Sequence, residues 1–180
     1  MYLLLFLFNL VCAYDEKLSK HYANLCQASY CISSIDDWSC KSCEPSFKLD
    51  FVVENKGALA LQGFDNMTNS IFTAFRGSSN IQNWLNNIQV SKTSPYNDST
   101  IKVETGFYKT YSYLKPTLLS NLELLSNKYK TNVLSITGHS LGGAISTILA
   151  FDILDNNCIV NNNIKNNNIS WYDVYDDWYA

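Results

Sequence analysis

The chain has 180 residues, 47% of them hydrophobic and 14% aromatic, enough for one packed domain or part of a larger one. Its net charge of −3 and pI near 5.3 give no electrostatic basis for binding nucleic acid. So mild an acidic balance specifies no other partner.

Leu3 to Val11 is an apolar run broken only by Asn9, and Val11-Cys12-Ala13 has the small −3 and −1 residues of a cleavage site. Residues 1–13 are therefore expected to be a signal peptide, although no Lys or Arg precedes the run. The run is too short to span a bilayer, and no later one approaches that length, so the expectation is a secreted protein without a transmembrane segment. Losing Cys12 leaves Cys26, Cys31, Cys40, Cys43 and Cys158, an odd number for an oxidising compartment. Cys40-Lys41-Ser42-Cys43 has the spacing of a tight local disulfide. A zinc half-site needs a second Cys or His pair, and none follows. No metal and no organic cofactor is expected. Asn66-Met67-Thr68, Asn97-Asp98-Ser99 and Asn168-Ile169-Ser170 are glycosylation sequons.

Asp15 to Tyr30 predicts an amphipathic helix, with Leu18, Tyr22, Leu25 and Ser29 on one face. A Cys-rich loop follows, to about Pro45. Phe47–Glu54 and Ala58–Phe64 read as a hairpin around Asn55-Lys56-Gly57, and Ser70–Phe75 as a third strand. Asn80 to Val90 is short and mixed, with Trp84, Leu85 and Ile88 to one side. Phe107, Tyr111, Leu114, Leu118, Leu122, Leu125 and Tyr129 recur at helical spacing, and Pro116 is expected to kink or divide that helix. Asn132–Thr137 is a buried-strand run and Leu141–Leu154 a helix. Beyond Asp155, eight asparagines fall between Asn156 and Asn168, and residues 156–180 read as a disordered tail. Strand, strand, strand, helix, strand, helix is the order of an α/β sheet with crossover helices.

The stretch Thr137-Gly138-His139-Ser140-Leu141-Gly142-Gly143-Ala144 places one serine between glycines at −2 and +2. A lone G-x-S-x-G is weak, but here an apolar strand runs into Gly138 and a helix begins just after Ser140. That context predicts a nucleophile elbow, a turn too sharp for side chains at Gly138 and Gly142. The helix N-terminus behind Ser140 would offer N–H groups and positive dipole to an oxyanion. The loop Phe75-Arg76-Gly77-Ser78-Ser79-Asn80 follows an earlier strand, where such folds place the other half of an oxyanion hole.

With these pieces the chain resembles the secreted class 3 (fungal-type) triacylglycerol lipases, which have the α/β-hydrolase fold. The matching stretches are ASYC at 28–31, WSCKSC at 38–43, FRGSSNIQNW at 75–84, ETGFYKTY at 104–111 and TGHSLGGA at 137–144, over roughly residues 17 to 155. The resemblance implies an α/β-hydrolase sandwich, of which residues 14–155 hold the N-terminal part. It implies Ser140 as nucleophile, Ser78 and Leu141 as oxyanion donors, and Gly138, His139 and Gly142 as the elbow. It also implies a lid over Asn80–Val90 with Trp84 covering the site. The implied partners are a lipid ester and the lipid–water interface.

The chain also departs from the family. In α/β-hydrolases the triad runs Ser, then Asp or Glu, then His, yet no histidine occurs in the 40 residues after Ser140. His139 belongs to the elbow, and His21 is expected to be a surface or core residue. The family's acid follows a Gly-Gln-Pro-Arg-Val-Gly-Asp-like strand, and nothing after Asp155 resembles it. Asp173, Asp176 and Asp177 are therefore not assigned to a triad. The family's bond from the position of Cys31 to a C-terminal cysteine has no counterpart, and its His-x-Gly-Phe is Glu104-Thr105-Gly106-Phe107 here. The expectation is a secreted lipase or carboxylesterase that forms an acyl-enzyme at Ser140, cut short after the elbow helix, with the 180-residue chain marginally stable and close to inactive. The alternative is a catalytically inactive lipase-like protein, a pseudoenzyme or lipid-binding remnant. A third reading is another serine hydrolase on the same fold, such as a feruloyl esterase or phospholipase.

Overall fold

The computed structural model describes residues 15–78, 91–154 and 169–173. The expected signal peptide, the expected lid with Trp84, and Cys158 lie outside the described residues. Helix α1 (Glu16–Ala28) is followed by a single 3-10 turn (Ile32–Ser34). Then come β1 (Phe47–Asn55), β2 (Ala58–Asp65), β3 (Ser70–Phe75), the two-residue strands β4 (Lys92–Thr93) and β5 (Val103–Glu104), α2 (Thr105–Tyr129), β6 (Leu134–Gly138), α3 (Leu141–Leu154) and β7 (Ile169–Asp173). The main sheet has the order β1-β2-β3-β6-β7, with β4 and β5 forming a separate ribbon. β1, β2 and β3 pair antiparallel, whereas β3, β6 and β7 run parallel.

The hairpin turns at Lys56 and Gly57, both with positive φ (49° and 81°), the twist that suits a two-residue connection. Alternation along the strands then divides the core in two. Ile71 and Phe75 of β3 and Leu134 and Ile136 of β6 pack with Leu114, Leu118 and Leu122 of α2 and Ile145 and Leu149 of α3. Phe72 and Ala74 of β3 face the other way and pack with Tyr22 and Leu25 of α1. The result is helix, sheet, helix, with the central strands covered on both faces as a parallel sheet requires.

Two expectations need correction. Pro116 does not divide α2, which is continuous from Thr105 to Tyr129. Pro116 and Ser112 are both exposed, so water can serve the carbonyl that loses its donor. The stretch 156–180, expected to be disordered throughout, contributes β7, which pairs from Leu134↔Ile169 to Gly138↔Asp173. Ile169-Ser170-Trp171-Tyr172-Asp173 is rich in residues suited to a pleated surface, and the free edge of β6 gives them a template. A five-residue strand preceded by a run of asparagines carries no periodicity by which to recognise it.

α1 is fastened to the sheet by a buried polar cluster at the end remote from Ser140. His21 is 4% exposed and Asp65 fully buried. His21 Nδ1 lies 2.7 Å from Glu44 and Nε2 lies 3.0 Å from Asp65. Thr68 Oγ1 and the Met67 N–H donate to Asp65 as well. Burial alone would push the His21 pKa down, but hydrogen bonds to Asp65 and Glu44 and their charges outweigh it and raise it above 6.5. For Asp65, burial pushes upward, and the bonds from His21, Thr68 and Met67 win, holding it below 3.8. His21 is thus a core residue and a doubly bonded imidazolium.

The sign of the pH dependence follows. A raised His21 pKa contributes stability that is complete below 6.5 and is lost as pH rises through the folded value. A lowered Asp65 pKa contributes stability present above 3.8 and lost as pH falls through its folded value. Urea unfolding should therefore show greatest stability between about pH 5 and 6 and a decline on the alkaline side. His21→Gln should lower the maximum by roughly 3–5 kcal/mol, because Asp65 keeps its bonds from Thr68 and Met67 but loses its buried countercharge, and should flatten the alkaline limb. An unchanged alkaline limb in the variant would count against the imidazolium.

Candidate active site

β3 and β6 lie side by side and end together at Phe75 and Gly138. Whatever follows each strand therefore emerges at the same edge of the sheet, where parallel α/β sheets carry their ligands. After β3 comes Arg76-Gly77-Ser78. After β6 come His139 and Ser140, and α3 starts at Leu141.

Ser140 adopts φ +55°, a left-handed backbone that costs an L-residue roughly 1–2 kcal/mol. The strain reverses the chain within one residue and leads straight into a helix. Close packing explains the flanking glycines. A Cβ on Gly138 would lie 2.3 Å from the Gly142 carbonyl, and one on Gly142 would lie 2.2 Å from the Phe75 carbonyl. No side chain fits at either position without moving backbone. The turn is closed by Gly142 N–H to the His139 carbonyl at 2.9 Å and Gly143 N–H to the Ser140 carbonyl at 2.9 Å. N–H groups in the first turn of a helix have no intrahelical acceptor, and the Leu141 N–H is the first of α3.

The Ser78 loop leaves the sheet after one last backbone bond, Arg76 N–H to the Leu59 carbonyl at 3.0 Å. Gly77 is pressed against the elbow, since a Cβ there would lie 2.5 Å from the His139 carbonyl and 3.3 Å from Ser140 Cβ. Its N–H donates to the Tyr30 hydroxyl at 3.0 Å, and that hydroxyl lies 2.9 Å from His139 Nδ1. Ser78, Leu141, Gly138, His139, Ser140 and Gly142 are thus gathered at one edge. His139 turns its Nδ1 toward Tyr30, while His21 lies at the opposite end of the sheet. Among the described residues no histidine is hydrogen-bonded to Ser140. A cavity of about 430 Å³ opens beside α3, lined mainly by Val103, Phe107, Ala144, Ile148 and Phe151.

Glu104, standing where the motif has histidine, caps α2 by accepting the Phe107 N–H at 2.7 Å. A carboxylate there also suits the positive end of the helix. Cys40 and Cys43 are disulfide-bonded, while Cys26 is buried against Thr137 and Cys31 is partly exposed. Sequence reasoning assigned Tyr30 no role. Its only signal was membership of the ASYC stretch.

The family model described as Lipase (class 3) matches residues 72–169. The chain is 29% identical over 141 residues to a lipase of Rhizomucor miehei, which covers 74% of this chain and 38% of that protein. It is 27% identical over 112 residues to a secreted alkaline triacylglycerol lipase of Penicillium cyclopium, covering 59% and 38% respectively. A solved triacylglycerol lipase whose catalytic centre is described as a serine protease triad superimposes with a TM-score of 0.68 at 27% identity, over 76% of this chain and 54% of that one. The chain thus spans 38% of the length of each of those two sequence relatives.

The strain at Ser140 has a measurable sign. Ser140→Gly should be more stable than Ser140→Ala by about 1 kcal/mol in urea unfolding, because glycine enters left-handed backbone without a Cβ clash. The reverse order, which holds at ordinary positions, would show that the elbow is not strained.

Proposed function

This chain belongs to the class 3 lipase family, and on that premise we propose that Ser140 is the nucleophile of a secreted lipid-ester hydrolase. The observation that carries the reading is the strained Ser140 turn beside the Gly77–Ser78 loop at one sheet edge. In the proposed reaction Ser140 Oγ attacks the ester carbonyl. The Leu141 N–H and the Ser78 N–H and hydroxyl stabilise the oxyanion that forms. Collapse expels the alcohol, which takes up a proton, and leaves an acyl group on Ser140. Water then releases the acid. Trp84 and its neighbours are proposed to cover the site, with an apolar face that turns onto a lipid surface. The apolar cavity along α3 supports a substrate with an acyl chain. Extracellular action is supported by the apolar N-terminal run and by the secreted Penicillium relative.

Proton removal is where this chain departs from a complete triad. The sequence holds two histidines. His21 is committed to Glu44 and Asp65, and His139 to Tyr30. Tested by itself, the 180-residue chain should turn over esters about 10⁴-fold more slowly than a hydrolase whose serine is hydrogen-bonded to a base. The same observation favours a second reading, a lipid-binding protein that keeps the cleft without turnover.

An activated ester separates the two. On p-nitrophenyl butyrate at pH 9, the chain should acquire one butyryl group, mapped by peptide mass spectrometry to Ser140. Ser140→Ala should remain unmodified. Equal modification of both proteins, or none, would remove Ser140 as nucleophile and leave the binding reading.

A further inference from the structure

Tyr30 lies outside the assigned site residues and is hydrogen-bonded to both the Gly77–Ser78 loop and the elbow. Its ring meets that of His139 edge-on, with centroids 6.0 Å apart. The hydroxyl oxygen accepts the Gly77 N–H at 3.0 Å and lies within hydrogen-bond distance of His139 Nδ1, at 2.9 Å, so one hydroxyl bridges the loop and the elbow. Space is as tight as the bonding, because a Cβ on Gly77 would lie 2.5 Å from the Tyr30 hydroxyl.

The position of Tyr30 is itself fixed. It stands in the turn beyond α1, with its N–H bonded to the Gln27 carbonyl at 3.1 Å. Along α1, Tyr22 donates to Ser135 at 2.8 Å and Cys26 lies 3.1 Å from Thr137, so Tyr30 and His139 form the third rung of one ladder. Gly77, by contrast, is the first residue after β3 that the sheet no longer holds. Without the Tyr30 hydroxyl, its N–H loses its described partner.

We propose that Tyr30 is a positioning residue for ester hydrolysis, whose hydroxyl locks the Ser78 loop onto the Ser140 elbow and so sets the spacing of the two oxyanion donors. The proposal rests on the reading of Ser140 and Ser78 given above. An oxyanion hole acts only when its donors lie within about 3 Å of the developing charge, and a misplacement of about 1 Å costs on the order of 10²-fold in rate.

The test is the rate of Ser140 acylation by p-nitrophenyl butyrate, measured against ester concentration in the wild type, Tyr30→Phe and Tyr22→Phe. Tyr30→Phe keeps the ring and removes the hydroxyl. It should lower the acylation rate at saturating ester by about 10-fold or more, with the half-saturating ester concentration unchanged. Tyr22→Phe cuts the same ladder at its far end and should lower the melting temperature without changing either constant. Acylation of Tyr30→Phe at the wild-type rate, with Ser140 labelled in both, would overturn the role of Tyr30 alone. So would a slowing shared by Tyr22→Phe, which would reduce Tyr30 to a stability contact. Failure to label Ser140 in the wild type would overturn the nucleophile reading and this proposal with it.

Discussion

The site depends on the last rung of a ladder between a helix and a strand that share a pitch. Tyr22, Cys26 and Tyr30 recur every four residues along α1 and its following turn, while Ser135, Thr137 and His139 recur every two along β6 and its end. Four helical residues rise about 6 Å and two strand residues about 6.6 Å, so the two elements stay in step over three rungs. The His21 cluster anchors one end of α1 where β3 and β6 begin, and Tyr30 reaches the other end where they finish. A helix that contributes no reacting group thereby fixes the edge from which Ser140 and Ser78 emerge.

At that edge, close packing takes over from hydrogen bonding. Gly138, Gly142 and Gly77 each occupy a place where a Cβ would meet backbone within 2.5 Å. The left-handed Ser140 is held because everything around it is rigid: β6 before it, α3 after it, the end of β3 beneath Gly142. Local strain persists in proteins only where the surroundings over-determine it. Here the result is a hydroxyl next to the N–H groups of a helix start, an arrangement suited to stabilising an oxyanion whether or not a base stands by.

Much of this was legible in the sequence. The elbow declares itself through Gly138 and Gly142 within a strand–turn–helix pattern, and Ser70–Phe75 and Leu141–Leu154 coincide with β3 and α3. What stayed hidden has physical causes. His21 looks like any helix histidine until folding brings Glu44 and Asp65, 23 and 44 residues away, onto its two ring nitrogens. Tyr30 and His139 are separated by 109 residues, and only the packing of α1 on β6 brings them together. β7 is a strand because β6 offers an edge, a condition that local composition does not record. The sequence left both a kink and a division open at Pro116, because the cost of a proline depends on whether its face is wet, and α2 is not divided.

These contacts hold Ser140 and its proposed oxyanion donors, Ser78 and Leu141, in place before any ester arrives. The most direct measurement is the ¹¹B NMR spectrum of butylboronic acid with the protein at pH 9, compared with the same acid and Ser140→Ala. Boron that gains a fourth ligand from a serine becomes a tetrahedral anion, the charge and shape of the proposed intermediate. A tetrahedral protein-bound signal should appear with the wild type and be lost in Ser140→Ala. Boron that remains trigonal with the wild-type protein, or a tetrahedral signal that survives the substitution, would contradict it.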